Sequence, residues 1–528
     1  MNIISKLAFI LFFFSINLNA QIAPYLQSPT PTSIYISWHS NITSSTIVNY
    51  GTSKNLDKSV NGSYENIGGK TWHTVHLTDL EPNTEYFYSC QNGYTKSETF
   101  GFRTMYETGK SNGKHFVFIV VGDSRTDTVI TSLISRKIEE KSIEIYGKDW
   151  YNYVNLMINV GDINTDGRNI DEYEDEFFLP FRNLTCHIPT MVSIGNHERE
   201  SDFFYQYMKY EDLTGGSYPK GHEFNERFYH FEMANCQFIS LNSNWQLRNN
   251  EQINWLDNVM LETSYNNNID FVFPFFHHPG LSEVWPDGNT SYVQDHIYGV
   301  LNRYSKTETV FYGHSHCYEH GTLSTDALDS ENEHDFHVVL CGGGGSGLDR
   351  WREYPNQTDY NDIFLAYDHY SWMLVDVDVE NKSYTATTYS LGHKDKFLDN
   401  VVIDEFSRKA ENPRPEKPTK LKFTDNTLIF DVNEKADIFS TEFQITSLPD
   451  DYVDPEIDVK RDIVNIFYDT GKDEYQAIDL NNGLDIFSLK LSNYDLMKGQ
   501  VYAFRVRVRN KNMQWSKWSD EMVFFYDW

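Results

Sequence analysis

Five short polar clusters in the middle of the chain contain residue types that bind metal ions. They are GDSR from Gly122, GDIN from Gly161, GNHE from Gly195, HHPG from His277 and GHSH from Gly313. A single Gly-Asp pair is often only a turn, and a single buried His is often only a core residue. Five successive clusters that contain carboxylate, amide or imidazole groups form a set of potential metal ligands, and core packing alone would not require such a set. The set is typical of a site for Fe, Mn or Zn, which accept mixed nitrogen and oxygen ligands.

Each cluster follows a run of apolar residues. The runs are HFVFIVV, YVNLMINV, IPTMVSI, FVFPFF and TVFY. Runs that are apolar on both faces predict strands of a sheet covered by helices. Because ligands of α/β layers gather at the carboxyl ends of strands, we expect the five clusters to meet. The sequence therefore predicts an α/β domain, which we assign to residues 111–405.

A different pattern precedes this domain. Residues 21–110 form short alternating stretches separated by turn residues, which predicts a small β-sandwich. Tyr86 and Tyr88 follow a Pro-Asn turn, where a tyrosine can bond back to the backbone of the corner.

A second β-sandwich is predicted at the other end. Residues 406–420 are rich in Pro and charge and are interpreted as a linker. Alternating stretches then predict a sandwich over residues 421–528. Its WSKWS segment, Trp515–Ser519, is expected to stack on three arginines in a structural role: Arg505, Arg507 and Arg509.

The first 20 residues have the pattern of a signal peptide. Lys6 precedes an apolar run from Leu7 to Ile16, and Ala20 closes the segment. The run is shorter than the ~20 residues of a spanning helix, so we predict no membrane span. Cleavage near Ala20 would give a secreted or periplasmic protein.

Charge and cysteine usage exclude other classes. The formal net charge of -32 disfavours nucleic acid as a partner, because nucleic-acid binding depends on Lys and Arg. The five cysteines are scattered and form neither a disulfide framework nor a zinc ribbon.

The order GD, GD, GNHE, H and GHxH resembles the motif series of the calcineurin-like metallophosphoesterases. GHSHCYEH resembles the ending of this series in purple acid phosphatases. YGTS at Tyr50–Ser53 and FRT at Phe102–Thr104 are similar to their N-terminal module, which has a fibronectin type III fold. The resemblance implies a four-layer α/β sandwich flanked by two all-β, fibronectin type III-like sandwiches.

The resemblance also implies the metal ligands. Asp123 and His316 would bind a first metal ion, and Asp162 would bridge both ions. The second ion would be bound by three residues: Asn196, His277 and His314.

Two further histidines are candidates for roles in the reaction. Either histidine of HHP could be a ligand, but the family places its ligand first, which favours His277. His278 would then face the substrate, support the ligands or only pack in the core. His197 resembles the family's general acid, and the alternative is that it only orients Asn196 or Glu198.

The resemblance implies hydrolysis of a phosphate ester by a hydroxide bridging the two metals. The expected substrate is a small-molecule or glycan-linked phosphate monoester. One alternative is a phosphodiesterase or sulfate-ester hydrolase, since the same metals stabilise similar oxyanions. The other is a non-catalytic binding or adhesion protein in which the sandwiches carry the function.

Two positions depart from the family pattern. Thr165 stands where purple acid phosphatases have an iron-binding Tyr, and Arg125 stands where other members have a ligand His. The first metal therefore has one ligand fewer than in the family pattern, and water or Asn164 could complete its set of ligands. We expect Arg125 to bind the substrate phosphate, with pairing to an acid such as Asp166 as the alternative.

Overall fold

A computed structural model provides the structure of the chain. It describes residues 22–41, 45–110, 115–210, 213, 227–245, 248, 250–323, 335–410, 413–464, 466–468, 477–479 and 484–528. The predicted signal peptide, residues 1–20, lies outside the described residues.

Two small sheets form the N-terminal module. Their strands are β1 (Tyr25–Gln27), β2 (Ile34–Ser40), β3 (Ile47–Gly51), β4 (Lys58–Asn61), β5 (Ser63–Ile67), β6 (Lys70–Leu77), β7 (Glu85–Asn92), β8 (Thr95–Lys96) and β9 (Phe100–Arg103). One sheet has the order β1-β2-β6-β5, and the other has β4-β3-β7-β8 with β9 on β7. Buried residues such as Trp38, Val48 and Phe102 fill the space between them.

The two tyrosines of the predicted corner have different roles. The backbone N–H of Glu81 donates to the hydroxyl of Tyr86 at 3.0 Å, which fixes the corner as expected. Tyr88 instead donates to the carbonyl of Cys186 at 2.7 Å, in the neighbouring domain. Tyr88 therefore joins the N-terminal sandwich to the central domain.

The central strands alternate with helices in the first half of the domain. The strands are β10 (His115–Val121), β11 (Val154–Asn159), β12 (Thr190–Val192), β13 (Tyr229–Met233), β14 (Cys236–Ser240), β15 (Phe271–Phe275), β16 (Thr309–Tyr312), β17 (Tyr318–Leu323), β18 (Phe336–Cys341), β19 (Ile363–Tyr367), β20 (Tyr370–Asp378), β21 (Ser383–His393) and β22 (Lys396–Lys409). The helices are α1 (Thr128–Tyr146), α2 (Ile170–Glu172), α3 (Arg182–Thr185), α4 (Asp202–Tyr207), α5 (Asn250–Ser264) and α6 (Tyr298–Leu301). Short 3-10 or π-helical turns lie at Trp150–Asn152, Tyr173–Phe178, Pro286–Gly288, Val293–Ile297, Lys435–Asp437 and Leu491–Asn493.

The remaining strands belong to the C-terminal part of the chain. They are β23 (Thr419–Thr424), β24 (Thr427–Asp431), β25 (Ile438–Thr446), β26 (Ile457–Asp462), β27 (Ile466–Tyr468), β28 (Ala477–Asp479), β29 (Ser488–Lys490), β30 (Gln500–Asn510) and β31 (Met522–Tyr526). The sheets β23-β24-β29 and β26-β25-β30-β31 form the second sandwich.

Two mixed sheets make the central domain. The first has the order β12-β11-β10-β20-β21-β22, and β10 is parallel to β11 but antiparallel to β20. The second has the order β13-β14-β15-β16-β18-β17-β19-β27-β28. Strands β14, β15, β16 and β18 are parallel in it, so the clusters that follow β15 and β16 share one edge.

The two sheets pack face to face through aromatic side chains. Phe118 of β10 lies 5.1 Å from Phe238 and 5.2 Å from Phe273, between ring centroids, in edge-on contacts. The opposite face of the second sheet is covered by α5, whose Trp255 and Leu256 share a core with Val272 of β15. Burial of both sheet faces explains why the predicted strands are apolar throughout.

Helix α1 covers the first sheet and follows the first polar cluster. Asp127 caps it, accepting a hydrogen bond from the backbone N–H of Ile130 at 3.2 Å. Ile130, Ile134 and Ile138 are spaced four residues apart, and all three are buried in the domain core. The predicted class, an α/β core flanked by β-sandwich modules, is confirmed.

Two elements differ from the predicted division of the chain. Strand β22 continues to Lys409, so residues 406–409 belong to the first central sheet rather than to a linker. Strand β27 pairs in parallel with β19, so part of the predicted C-terminal sandwich extends the second central sheet. The linker is therefore shorter than predicted, and the C-terminal segment is joined to the central domain through backbone hydrogen bonds.

The WSKWS segment has the predicted structural role. The guanidinium of Arg505 lies 4.3 Å from the ring centroid of Trp518. That of Arg507 lies between Trp515 and Trp518 at 4.5 and 4.7 Å, and that of Arg509 lies 5.1 Å from Trp515. The arginines and tryptophans thus form one continuous stack.

Within the described part of the chain, no helix combines the length and apolar character needed to cross a membrane.

Candidate metal centre

The candidate ligands directly follow the strands, and three of them have unusual backbone conformations. Asp123 follows β10, Asp162 follows β11, and His314 follows β16, with φ angles of 55°, 56° and 75°. A positive φ is uncommon for residues other than glycine and persists where the surroundings impose it. The backbone turn at each of these three residues directs its side chain to the same edge of the two sheets.

Glycines let these turns approach one another. A Cβ atom at Gly161, whose φ is 99°, would lie 2.9 Å from His277 Nδ1. A Cβ atom at Gly195 would collide with Asp162 Oδ1. The glycines of GDIN and GNHE are therefore required by close packing around Asp162.

One group of donors matches the predicted second metal position. Ligand atoms of Asp162, His277 and His314 all lie within 4.8 Å of one another. His277 Nε2 lies 3.0 Å from Asn196 Oδ1 and 3.1 Å from His314 Nδ1. His277 Nδ1 donates to the carbonyl of Val160 at 3.0 Å, which turns the lone pair of Nε2 toward the group. Acceptor atoms converging in this way fit a cation.

A second group matches the predicted first metal position. Ligand atoms of Asp123, Asp162 and His316 also lie within 4.8 Å of one another. His316 Nδ1 donates to the carbonyl of Gly347 at 2.7 Å, leaving Nε2 at 3.6 Å from Asp123 Oδ1. Asp123 is fully buried, and its Oδ1 has no hydrogen-bond partner among the described residues. A buried carboxylate oxygen without a hydrogen-bond partner is suited to coordinate a cation.

Arg125 lies at the first position. Its Nε donates to Asp162 Oδ2 at 3.1 Å, and its Nη2 lies 3.2 Å from His316 Nε2. The alternative partner named from the sequence, Asp166, instead pairs with Arg168 at 2.6 Å. Arg125 is thus paired with the proposed bridging carboxylate, and 16% of its side chain is exposed.

Burial and neighbouring charges shift the ligand pKa values in different directions. Burial raises the pKa of Asp123, and the nearby carboxylate of Asp162 raises it further. Burial alone would raise the pKa of Asp162, but His277, His197 and Arg125 hold it well below its usual range. Burial alone would lower the pKa of His277, but Asp162 and other acids raise it to about 9. The centre therefore stabilises positive charge beside Asp162.

The two remaining histidines of the prediction lie beside these ligands. The backbone N–H of His197 donates to Asp162 Oδ1 at 2.9 Å, and its Nδ1 donates to the carbonyl of Thr165 at 2.6 Å. Burial lowers the pKa of His197. His278 bonds through Nδ1 to Ser243 Oγ at 2.9 Å, and its ring centroid lies 4.4 Å from that of His314.

Thr165 and Asn164 are the residues that the departure from the family pattern brings into question at the first metal position. Thr165 bonds through Oγ1 to Thr126 at 3.2 Å and to Glu176 at 3.0 Å. Asn164, proposed to complete the first position, is fully buried.

Glu198 is a functional residue to which the sequence analysis gave no role of its own. Its carboxylate accepts the backbone N–H groups of Asp162 at 3.0 Å, Ile163 at 2.9 Å and Gly195 at 2.5 Å. It therefore holds the turns after β11 and β12 together. Its place beside Asn196 was the available signal, but nothing in the sequence shows which N–H groups it accepts.

Glu319 and Trp285 were also missed. Glu319 accepts the N–H groups of Glu283 at 3.0 Å and Val284 at 2.8 Å, which fixes the loop after β15. That loop places the ring of Trp285 4.7 Å from the ring of His314, between centroids. An aromatic wall thus stands beside the second metal position.

The glycine-rich segment CGGGGSG, Cys341–Gly347, supports the first position. The backbone N–H of Ser346 donates to the carbonyl of Asp123 at 2.9 Å, and that of Gly344 donates to the carbonyl of Gly122 at 2.9 Å. Asp349 accepts the backbone N–H of His316 at 2.7 Å. The segment therefore packs on both ligand turns instead of forming an independent loop.

Two family models match the chain. The purple acid phosphatase N-terminal domain matches residues 20–104, and the calcineurin-like phosphoesterase domain matches residues 147–318. The second match includes Asp162, Asn196, His277, His314 and His316. It begins after Asp123 and Arg125, and it includes Thr165, one of the two positions that depart from the family pattern.

Curated relatives include two purple acid phosphatases of Arabidopsis thaliana. Purple acid phosphatase 15 is 25% identical over 281 residues, which are 47% of this chain and 49% of that protein. Purple acid phosphatase 13 is 26% identical over 220 residues, which are 36% of this chain and 39% of that protein. The chain thus spans about half the length of these relatives or less.

Solved structures agree in fold. A purple acid phosphatase from yellow lupin (Lupinus luteus) seeds superposes with a TM-score of 0.55 and 16% identity, covering 73% of each chain. PhoD superposes with a TM-score of 0.51 and 14% identity, covering 74% of this chain and 90% of that one.

Proposed function

We propose that this chain, which belongs to the purple acid phosphatase-like branch of the calcineurin-like metallophosphoesterases, is a metal-dependent hydrolase of phosphate esters. The observation that carries the proposal is the convergence of Asp162, Asn196, His277 and His314 at one sheet edge. These donors come from four different turns, and their arrangement serves no packing requirement. Phosphate monoesters are the proposed substrates.

The donor sets suit two metal positions that share Asp162. Asp162, Asn196, His277 and His314 would hold one ion, and Asp123, Asp162 and His316 would hold the other. Fe, Mn and Zn all accept such ligands. When bound, such ions supply a hydroxide nucleophile at mild pH and neutralise the charge of the phosphate.

The chain's own side chains would bind and protonate the substrate. His197 has its Nδ1–H engaged by the carbonyl of Thr165, so Nε2 is the atom that would carry a proton to the leaving oxygen. Arg125 would bind the phosphate through N–H groups that leave Asp162 and His316. His278, held by Ser243, would face the substrate beside His314.

Secretion or export to a periplasm is part of the proposal. It rests on the signal-peptide pattern before Ala20. All five cysteines are buried and unpaired, so the fold does not depend on disulfide formation in that compartment.

A substrate screen tests the function. Protein stripped of metal and reloaded with Fe, Mn or Zn would be assayed on phosphate monoesters, diesters, phosphorylated sugars, nucleotides and sulfate esters. We expect turnover of monoesters that disappears in His314→Ala, a variant that removes one donor of the second position. Preferred turnover of diesters or sulfate esters would assign a different ester class. Absence of turnover on every substrate, with metal bound, would favour the binding or adhesion role.

A further inference from the structure

Arg125 is hydrogen-bonded to two of the three residues that form the first metal position. Its Nε reaches Asp162 Oδ2 at 3.1 Å and its Nη2 reaches His316 Nε2 at 3.2 Å. His316 Nδ1 donates to the carbonyl of Gly347, so Nε2 has one lone pair, and the bond from Arg125 uses it. The guanidinium and a metal ion therefore cannot bind His316 Nε2 at the same time, and the guanidinium also places positive charge at Asp162 Oδ2.

The guanidinium does not satisfy the whole position. Asp123 Oδ1, 3.6 Å from His316 Nε2, is buried without a hydrogen-bond partner among the described residues. An ion about 2 Å from each donor would use this oxygen as well. Arg125 can therefore keep an ion out of this position, but it does not make all the contacts that an ion would make there.

The second position has a different composition. His277 Nε2 lies 3.0 Å from Asn196 Oδ1 and 3.1 Å from His314 Nδ1, so these contacts are made among the proposed ligands and not to a guanidinium. Asp162 Oδ1 accepts the backbone N–H of His197 and lies 3.3 Å from His277 Nε2. An ion that binds here would replace a proton of His277, but it would not have to displace a guanidinium from the ligands.

We propose that Arg125 competes with the metal ion for the first position, so that the two positions load in sequence. The position of Asp162, Asn196, His277 and His314 would fill tightly. The position of Asp123 and His316 would fill weakly, and only after the guanidinium leaves Asp162. Two cations that share the Asp162 carboxylate would repel each other, which would weaken the second binding step further. The inference rests on the proposed metal centre but not on the identity of the substrate.

Metal titration of the full-length protein tests the competition. Mn²⁺ or Zn²⁺ would be titrated into metal-free protein against a chromophoric chelator, without substrate. For the unmodified chain we expect one tight equivalent and a second that binds at least about tenfold more weakly. Arg125→Ala should tighten the second equivalent by about tenfold, and Arg125→His should tighten it further by adding an imidazole donor.

Two variants serve as controls. Arg168→Ala removes an exposed arginine that pairs with Asp166 in the neighbouring loop, and it should leave both affinities unchanged. Arg125→Gln keeps more of the side-chain volume, and it replaces Arg125→Ala if that variant loses its native circular dichroism. Either neutral variant should give the same direction of change.

Two outcomes would overturn the competition. The unmodified chain could bind two equivalents with equal affinity, or the folded neutral variants could leave the second equivalent unchanged. A different result would show that the proposed metal centre is wrong. In that case no variant would bind a tight equivalent of metal, and His314→Ala would have the same metal affinity as the unmodified chain. Sequential loading without turnover of any ester would instead support the competition and contradict the proposed function.

Discussion

His197 is the residue through which proton transfer can be tested. Its Nδ1–H is held by the Thr165 carbonyl and its backbone N–H by Asp162, so the ring has a fixed orientation beside the bridging carboxylate. Burial lowers its pKa, which makes its protonated form a stronger acid. These contacts favour a general acid but also suit a residue that only orients the turn.

We expect His197→Ala to lower kcat by about 10² to 10⁴ for esters with poor leaving groups. Aryl phosphates need less protonation and should lose much less activity. Comparing kcat across a series of leaving groups, at equal metal content, provides the measurement. An equal loss for good and poor leaving groups would contradict the role as acid.

Glu198 is expected to affect metal binding through the backbone N–H groups that it accepts. Glu198→Gln would place an amide N–H₂ against one or more of three backbone N–H donors, those of Asp162, Ile163 and Gly195. We expect metal affinity to fall by about 10- to 100-fold, as for other groups that orient ligands. Chelator competition measures it, and Glu140→Gln on the exposed face of α1 is the matched control. Equal affinities in the two variants would show that Glu198 is not needed to position Asp162.

At the scale of elements, the loop after β15 depends on a buried carboxylate. Glu319, in β17, accepts two backbone N–H groups of this loop and the hydroxyl of Ser282. Burial raises the pKa of Glu319 from 4.5 to about 7. The folded protein therefore binds a proton there that the unfolded chain releases between these pH values.

A group with a raised folded-state pKa contributes stability that is complete below its unfolded pKa and is lost as pH rises through its folded pKa. For Glu319 this window runs from about pH 4.5 to about pH 7. We expect Glu319 to contribute a fall in the free energy of unfolding in urea as pH rises through this window. In Glu319→Gln the fall should be smaller by about 1 to 3 kcal/mol. Glu144→Gln, which removes an exposed carboxylate from α1, should keep the original slope; the same slope in both variants would refute this role.

At the scale of the whole molecule, Arg509 joins the C-terminal sandwich to the central domain. It is fully buried, and its Nη1 donates to Asp335 Oδ2 and Thr322 Oγ1, both at 2.8 Å. Trp515 Nε1 donates to the same oxygen of Asp335 at 2.7 Å. Removing the guanidinium would leave the carboxylates of Asp335 and Asp462 buried without their cation.

We expect Arg509→Met to lower the free energy of unfolding by about 3 to 5 kcal/mol, because it leaves a buried charge uncompensated. Lys417→Met is the control, since Lys417 forms an exposed pair with Asp520, and it should cost less than about 1 kcal/mol. Urea unfolding followed by tryptophan fluorescence measures both. Similar stabilities for the two variants would mean that the junction is held by the paired strands β19 and β27 instead.

The sequence by itself located five clusters of potential metal ligands, because each cluster follows an apolar run. The resemblance to the metallophosphoesterases then implied which residues of these clusters are ligands: Asp123, Asp162, Asn196, His277, His314 and His316. Strands that are buried on both faces consist of apolar residues throughout, and the carboxyl ends of parallel strands meet at one edge of the sheet. The α/β class and the flanking sandwiches followed from the same periodicities, which are local properties.

Only the tertiary structure decided what lies against these donors. Arg125 and His316 are 191 residues apart, and their contact depends on how two sheets pack. The three N–H groups held by Glu198 and the pairing of β27 with β19 are likewise invisible to local patterns. Sequence periodicity records which faces are buried, whereas hydrogen-bond partners across the core are fixed by the relative placement of distant turns.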